Sequence, residues 1–138
     1  MKKRLFICLF ISAILLTACK SYQSGSTTPD LSGTWTLRYI TGPRIAFDGL
    51  YPEKKPHVVF DVKKNNISGN TSCNGFSGEI DINGDNITIS KVIQTMMACE
   101  GIGEQTFTGM LPSITKYKVA NNILSFYAGD VEMMRFSK

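Results

Sequence analysis

Histidine is almost missing from this chain of 138 residues: His57 stands alone. One imidazole and two cysteines in the folded part, with no C-x-x-C spacing, fall short of the four ligands of a zinc site. A nucleophilic cysteine would have only His57 as its base. Charge is sparse, with Asp, Glu, Lys and Arg making up 19% of the residues, and the carboxylates are scattered. No Gly-rich phosphate loop, internal repeat or low-complexity stretch is present. An apolar run occupies Leu5 to Leu16, too short to cross a bilayer, which takes about 20 residues. These absences leave no expected catalytic site, metal or cofactor.

What is there begins with an address. Lys2, Lys3 and Arg4 precede the apolar run, and small residues follow it, the arrangement of a secretory signal peptide over residues 1–18. The run ends in Leu16-Thr17-Ala18-Cys19, which resembles the bacterial lipobox. That resemblance implies cleavage before Cys19 and a diacylglyceryl thioether on its sulfur, with a further acyl chain such as palmitate. Two or three chains anchor a protein stably where one does not. Lys20, read by the enterobacterial sorting rule, is consistent with transport to the outer membrane, facing the periplasm. Residues 19–30 are polar and rich in Ser, Gly and Thr, a flexible tether with an average reach of roughly 18 Å. Cleavage would take three of the 15 basic residues against 11 acidic ones and lower the net charge from +4 to +1. No basic run then remains to hold nucleic acid.

Residues 31–138 have the size of one domain. Their pattern is dominated by short alternating strands. Thr34 to Ile40 puts Trp35, Leu37 and Tyr39 on one face, and His57 to Val62 puts Val58, Phe60 and Val62 together. Ile67 to Ser72 follows, then a set with Phe76, Gly78, Ile80 and Ile82. Asn83-Gly84-Asp85 predicts a hairpin with positive φ at both turn positions. Asn86 to Ser90 returns with Ile87 and Ile89 inward, and Ile93 to Met97 extends the sheet. Tyr117 to Ala120, Ile123 to Tyr127 and Val131 to Phe136 are joined by tight turns at Asn121-Asn122 and Gly129-Asp130. Phe107, Met110, Leu111 and Ile114 share one helical face, with a break expected near Leu111-Pro112. The long segment Thr41 to Pro56 is either a lid or an excursion. The expected fold is α+β: a strongly curved antiparallel sheet, a barrel-like meander of about eight short strands, with one helix packed against it.

The strings SGTWTLRYI, PHVVFDV, ISGNTSCNGFSGEI and TMMAC, followed by Glu104-x-x-Phe107-x-x-x-Leu111 and a Tyr, resemble the META domain, also called HslJ-like. The motif residues are Trp35, Gly69, Cys73, Asn74, Ser77 and Gly78, then Thr95, Met97, Ala98 and Cys99. The resemblance covers Leu31 to Phe136. It implies a small bacterial envelope protein, often lipidated, with a curved antiparallel sheet and a helix. It implies links to stress response and envelope upkeep, and supplies no catalytic residues. The chain departs from the pattern in a short gap between Cys99 and Glu104, in Pro112 and in the long loop before Pro56.

Cys73 and Cys99 are an even pair in what the signal makes an oxidising compartment, so a disulfide between them is the default. The rivals are a Cys73–His57 dyad and a soft-metal site. Met96, Met97 and Cys99 carry the thioethers and thiolate that favour Cu(I), yet in a strand Met96 points away from the other two. Asn74 and Gly75 suit a turn, with the Asn74 side chain capping backbone groups beside the sulfur.

Three functions remain in view. One is a lipid-anchored envelope module without catalysis, touching the membrane through Cys19 and another envelope protein through its domain. A second is a lipocalin-like carrier of a small apolar ligand, prompted by Gly33-Thr34-Trp35. The third is a thiol or copper-binding periplasmic protein.

Overall fold

The computed structural model describes residues 29–138. The predicted signal, Cys19 and nearly all of the tether lie outside the described residues. Eight strands run in chain order around a closed barrel, each antiparallel to the next and the last paired with the first. They are β1 (Thr34–Ile40), β2 (His57–Asp61), β3 (Asn66–Asn70), β4 (Gly75–Asn83), β5 (Asn86–Gln94), β6 (Lys116–Ala120), β7 (Ile123–Ala128) and β8 (Val131–Ser137). Two helices interrupt them: α1 (Phe47–Leu50) in the long first connection, and α2 (Gly103–Met110) between β5 and β6. The curved sheet and its single main helix are therefore as the alternation implied, and closure is complete.

Alternation sets the inside. Trp35, Leu37, Val58, Ile67, Leu124, Phe126, Met134 and Phe136 have no solvent exposure. The rings meet edge to face, Phe126 with Phe136 at 5.2 Å and Phe107 with Phe136 at 6.4 Å between centroids. Phe107 comes from α2 and also meets Phe76 at 5.7 Å, so the helix drives one aromatic side chain into the barrel core. Such ring pairs add about 0.5–1.5 kcal/mol each beyond burial. The Trp35 indole donates to the Leu31 carbonyl oxygen at 2.9 Å, which fastens the stretch before β1 across the core. Lys138 Nζ lies 4.6 Å from the centroid of the same ring.

The helix breaks where proline requires. α2 ends at Met110 and a 3-10 turn, Leu111–Ser113, carries Pro112. Tyr39 departs from the predicted inward face: a bulge between Leu37 and Tyr39 against β8 turns it outward. Val62 likewise leaves the strand for a 3-10 turn, Val62–Lys64, capped by the Asp61 carboxylate at 3.2 Å. In the β4–β5 hairpin Asn83 is the last strand residue, so Gly84 and not Asn83 takes positive φ. In the β6–β7 hairpin both Asn121 and Asn122 take it.

β5 ends earlier than its sequence implied. Lys91 has positive φ, the register against β4 shifts there, and Ile93 is turned out to 71% exposure. Thr95 to Met97 are not strand. The seam between β5 and β6 is correspondingly thin, with one register pair, Asn86 with Lys116. Flanking bonds join Ile87 N–H to Thr115 O at 3.1 Å and Tyr117 N–H to Asp85 O at 2.9 Å. The Leu111–Ser113 turn packs on β5 beyond that seam.

Candidate functional site

The cysteine-bearing turn follows β3. Its backbone closes through Thr71 N–H to Asn74 O at 2.8 Å, and the Asn74 N–H returns to Thr71 Oγ1 at 2.9 Å. Ser72 sits at positive φ with its N–H on the Asn70 carboxamide oxygen at 3.0 Å. The turn buries Asn74 and leaves Cys73 half-buried.

Asn74 is the hub. Its Oδ1 accepts from Thr95 Oγ1 at 2.7 Å and from the Met97 N–H at 2.8 Å. Its Nδ2 donates to the Met97 carbonyl oxygen at 3.0 Å and to Glu104 Oε1 at 2.8 Å. One carboxamide thus grips both backbone groups of Met97, standing in for a strand neighbour just past Thr95, whose own N–H still bonds to the Gly75 carbonyl oxygen of β4 at 3.0 Å. Thr71 Oγ1 also reaches Glu104 Oε1, at 2.9 Å. The Glu104 carboxylate, in the first turn of α2, favours that helix end through the dipole. Cys73 and Cys99 are joined as a disulfide, with Cα atoms 6.1 Å apart.

The motif residues divide into two sets. Cys73, Asn74, Thr95, Met97 and Cys99 come together in this clasp. Trp35, Gly69 and Gly78 belong to the barrel wall. Gly69 pairs with Val58 of β2, and a Cβ there would collide with the His57 carbonyl oxygen. A Cβ at Gly78 would lie 3.1 Å from the Ser90 carbonyl oxygen and 3.2 Å from Val92 Cγ2.

The other candidates do not assemble. His57 is half-buried in β2 and lines a surface groove with Val59, Ser68 and Ile93, apart from the cleft beside the disulfide. Burial, with the Lys54 charge adding to it, holds its imidazole pKa below the usual value. With its sulfur in the disulfide, Cys99 has no thiolate for a copper ion, and Met96 is 96% exposed. Among the described residues no three His, Cys, Asp or Glu side chains are grouped to hold a metal.

Tyr51 was not singled out by the sequence pattern, and Glu104, a motif position there, gains its role only from its bonds to Asn74 and Thr71. The long segment Thr41 to Pro56 docks through its own Tyr51, which is buried and donates its hydroxyl to the Gly103 carbonyl oxygen at 2.9 Å. Burial pushes the Tyr51 pKa far above the ordinary phenol value. A cleft of about 380 Å³ lies between this loop and the clasp, with Tyr51, Lys54, Cys73, Cys99 and Glu104 on its walls.

A closed eight-stranded antiparallel barrel, a helix capping its core and a disulfide-linked clasp at the helix start define a small β-barrel domain. The chain belongs to the META domain family, whose profile matches residues 29–138. No curated protein sequence matches it. Solved structures share the fold. One from Burkholderia xenovorans, determined by NMR, has a TM-score of 0.63 at 17% identity, covering 78% of this chain and 82% of its own. A DUF4847 family protein from Bacteroides vulgatus, solved by crystallography, has a TM-score of 0.56 at 14% identity, covering 78% of this chain and 92% of its own.

Proposed function

We propose that this protein is held in the bacterial envelope by lipid on Cys19, at the outer membrane facing the periplasm. Its META domain serves there without catalysis, as a surface for another envelope protein in envelope maintenance or stress.

The observation that carries this reading is the filled barrel. Eight-stranded barrels hold a ligand only when side chains leave the interior open. Here Trp35, Phe107, Phe126 and Phe136 occupy it without exposure. The packed core counts against the lipocalin-like carrier, and the disulfide counts against a copper thiolate. A domain with a closed interior acts through its outside. Ile93, Met96, Met97 and Ile102 are 71%, 96%, 60% and 48% exposed within ten residues of chain, the densest apolar stretch on that outside.

The test has two parts. Mass analysis of the protein from host membranes reads the anchor: a diacylated mature chain beginning at Cys19 supports it, and an unmodified chain removes it. Photo-crosslinking from position 96 in intact cells reads the surface, with position 118 on β6 as control. A discrete adduct from 96 alone, lost when Ile93 and Met97 are made Ser, supports a protein contact. Equal labelling from both positions removes it.

A further inference from the structure

The two sulfurs of the disulfide have unequal surroundings. Cys73 Sγ has Asn74 Nδ2 at 3.3 Å and the Met97 carbonyl oxygen at 3.6 Å, and its turn is closed by backbone bonds. Cys99 lies in an exposed stretch, and no hydrogen bond fastens Ala98 to Gly101. Before that stretch Met97 is gripped by Asn74, and after it Gly103 is held by Tyr51. The Ile102 carbonyl oxygen also accepts from the Thr106 N–H at 2.9 Å, so it is Ala98 to Gly101 that is tied down at one point, the Cys99 sulfur. Both cysteines line the cleft of about 380 Å³.

We propose that Cys99 is a thiol-exchange site, and that the disulfide is a local latch which a dithiol of the envelope can open without unfolding the barrel. Thiol–disulfide exchange goes through a thiolate attacking one sulfur, and access decides which. The incoming thiolate bonds to Cys99 Sγ. The Cys73–Cys99 bond breaks, its electron pair leaves on Cys73 Sγ, and that sulfur takes a proton from water. The second thiol of the reductant then attacks its own bound sulfur and releases Cys99, which is protonated in turn. The protein gains two electrons and the dithiol becomes a disulfide. Cys73 stays beside Asn74 and Met97, while Ala98 to Gly101 is set free and Ile102 stays bonded to Thr106. Because the Asn74 bonds to Thr95, Met97 and Glu104 do not depend on the disulfide, α2 keeps its place.

The experiment uses the purified full chain, without denaturant, and two probes. Glutathione followed by acid quench and alkylation maps the mixed disulfide by peptide mass, and dithiothreitol opens the latch fully. The expected results are glutathione on Cys99 with Cys73 alkylated, and an unchanged near-ultraviolet circular dichroism signal from Trp35 after dithiothreitol. A glutamyl protease then cuts after Glu100 faster in the reduced protein than in the oxidised one. Glutathione on Cys73, exchange only in denaturant, or loss of the Trp35 signal on reduction overturns the proposal. The Cys99→Ser variant gives a second reading: rapid cutting after Glu100 with the Trp35 signal kept supports the latch, and slow cutting opposes it.

Discussion

Tyr51 and Gly103 meet as donor and acceptor at 2.9 Å, although 52 residues separate them, and the glycine has no room for a side chain. A Cβ on Gly103 would sit 2.5 Å from the Leu50 carbonyl oxygen and 2.8 Å from Tyr51 Cε1. Gly103→Ala is expected to destabilise the fold by about 1–3 kcal/mol, the usual cost of overpacking. Urea unfolding measures it, and an unchanged midpoint would contradict the packing described.

Tyr51 also ties stability to alkaline pH. Its pKa is raised in the folded protein by burial, and that of Tyr117 is raised by burial and by Asp85. Each contribution is fully present below the unfolded phenol pKa of about 10 and is lost as pH rises above it, where the unfolded chain binds fewer protons. Unfolding free energy should therefore take no slope from these phenols up to pH of about 9 and fall as pH rises through about 10 and beyond. Tyr51→Phe should flatten that fall, and an identical slope in the variant would refute it.

Asn74 makes the clasp, so Asn74→Ala strips partners from Thr95, Met97 and Glu104 together. Thr95 and Met97 are exposed and Glu104 is half-buried, so each lost bond is worth the net value of about 0.5–1.5 kcal/mol. The loss should exceed that of one hydrogen bond, and amide exchange at Met97 should quicken. Slow exchange at Met97 in the variant would show that the side chain does not hold that segment.

Removing the disulfide with Cys73→Ser is expected to cost about 3.5 kcal/mol for a sequence separation of 26 residues, by chain-entropy reasoning. Thermal melting of oxidised wild type against the variant checks it. A difference below about 1 kcal/mol would mean that the unfolded chain gains little freedom.

Phe107→Ala should cost about 3–5 kcal/mol, since the ring is wholly buried where α2 enters the core. Met96→Ser should change stability by no more than about 0.5 kcal/mol, because its side chain lies in solvent. Parallel denaturant titrations compare them, and similar losses would put the ring outside the core.

Strand-forming segments were readable because inward and outward residues alternate, and Phe107, Met110, Leu111 and Ile114 announced the helix. The bulges at Tyr39 and Lys91 were not readable, because a shift of register leaves the surrounding alternation intact while turning one residue over. The barrel-like curvature was expected, but the β1–β8 pairing that completes it was not, because it depends on accumulated twist, which no local pattern records. At the clasp, Cys73, Asn74 and Cys99 stood out by type and spacing. Glu104 was visible as a motif position but its bonds to Asn74 and Thr71 were not, and Tyr51 was not visible at all, because those roles exist only once α2 and the long loop lie beside the turn.

The pairing of β1 with β8 sets the order of assembly. A chain delivered N-terminus first presents β1 long before its second neighbour exists, so one side of that strand stays bare until nearly the last residue has arrived. Unpaired edges invite other strands, and contacts this distant in sequence form slowly. Loss of the final strand, Val131–Ser137, would leave β1 and β7 both open, and a protein truncated after Ala128 should aggregate rather than survive as a smaller barrel.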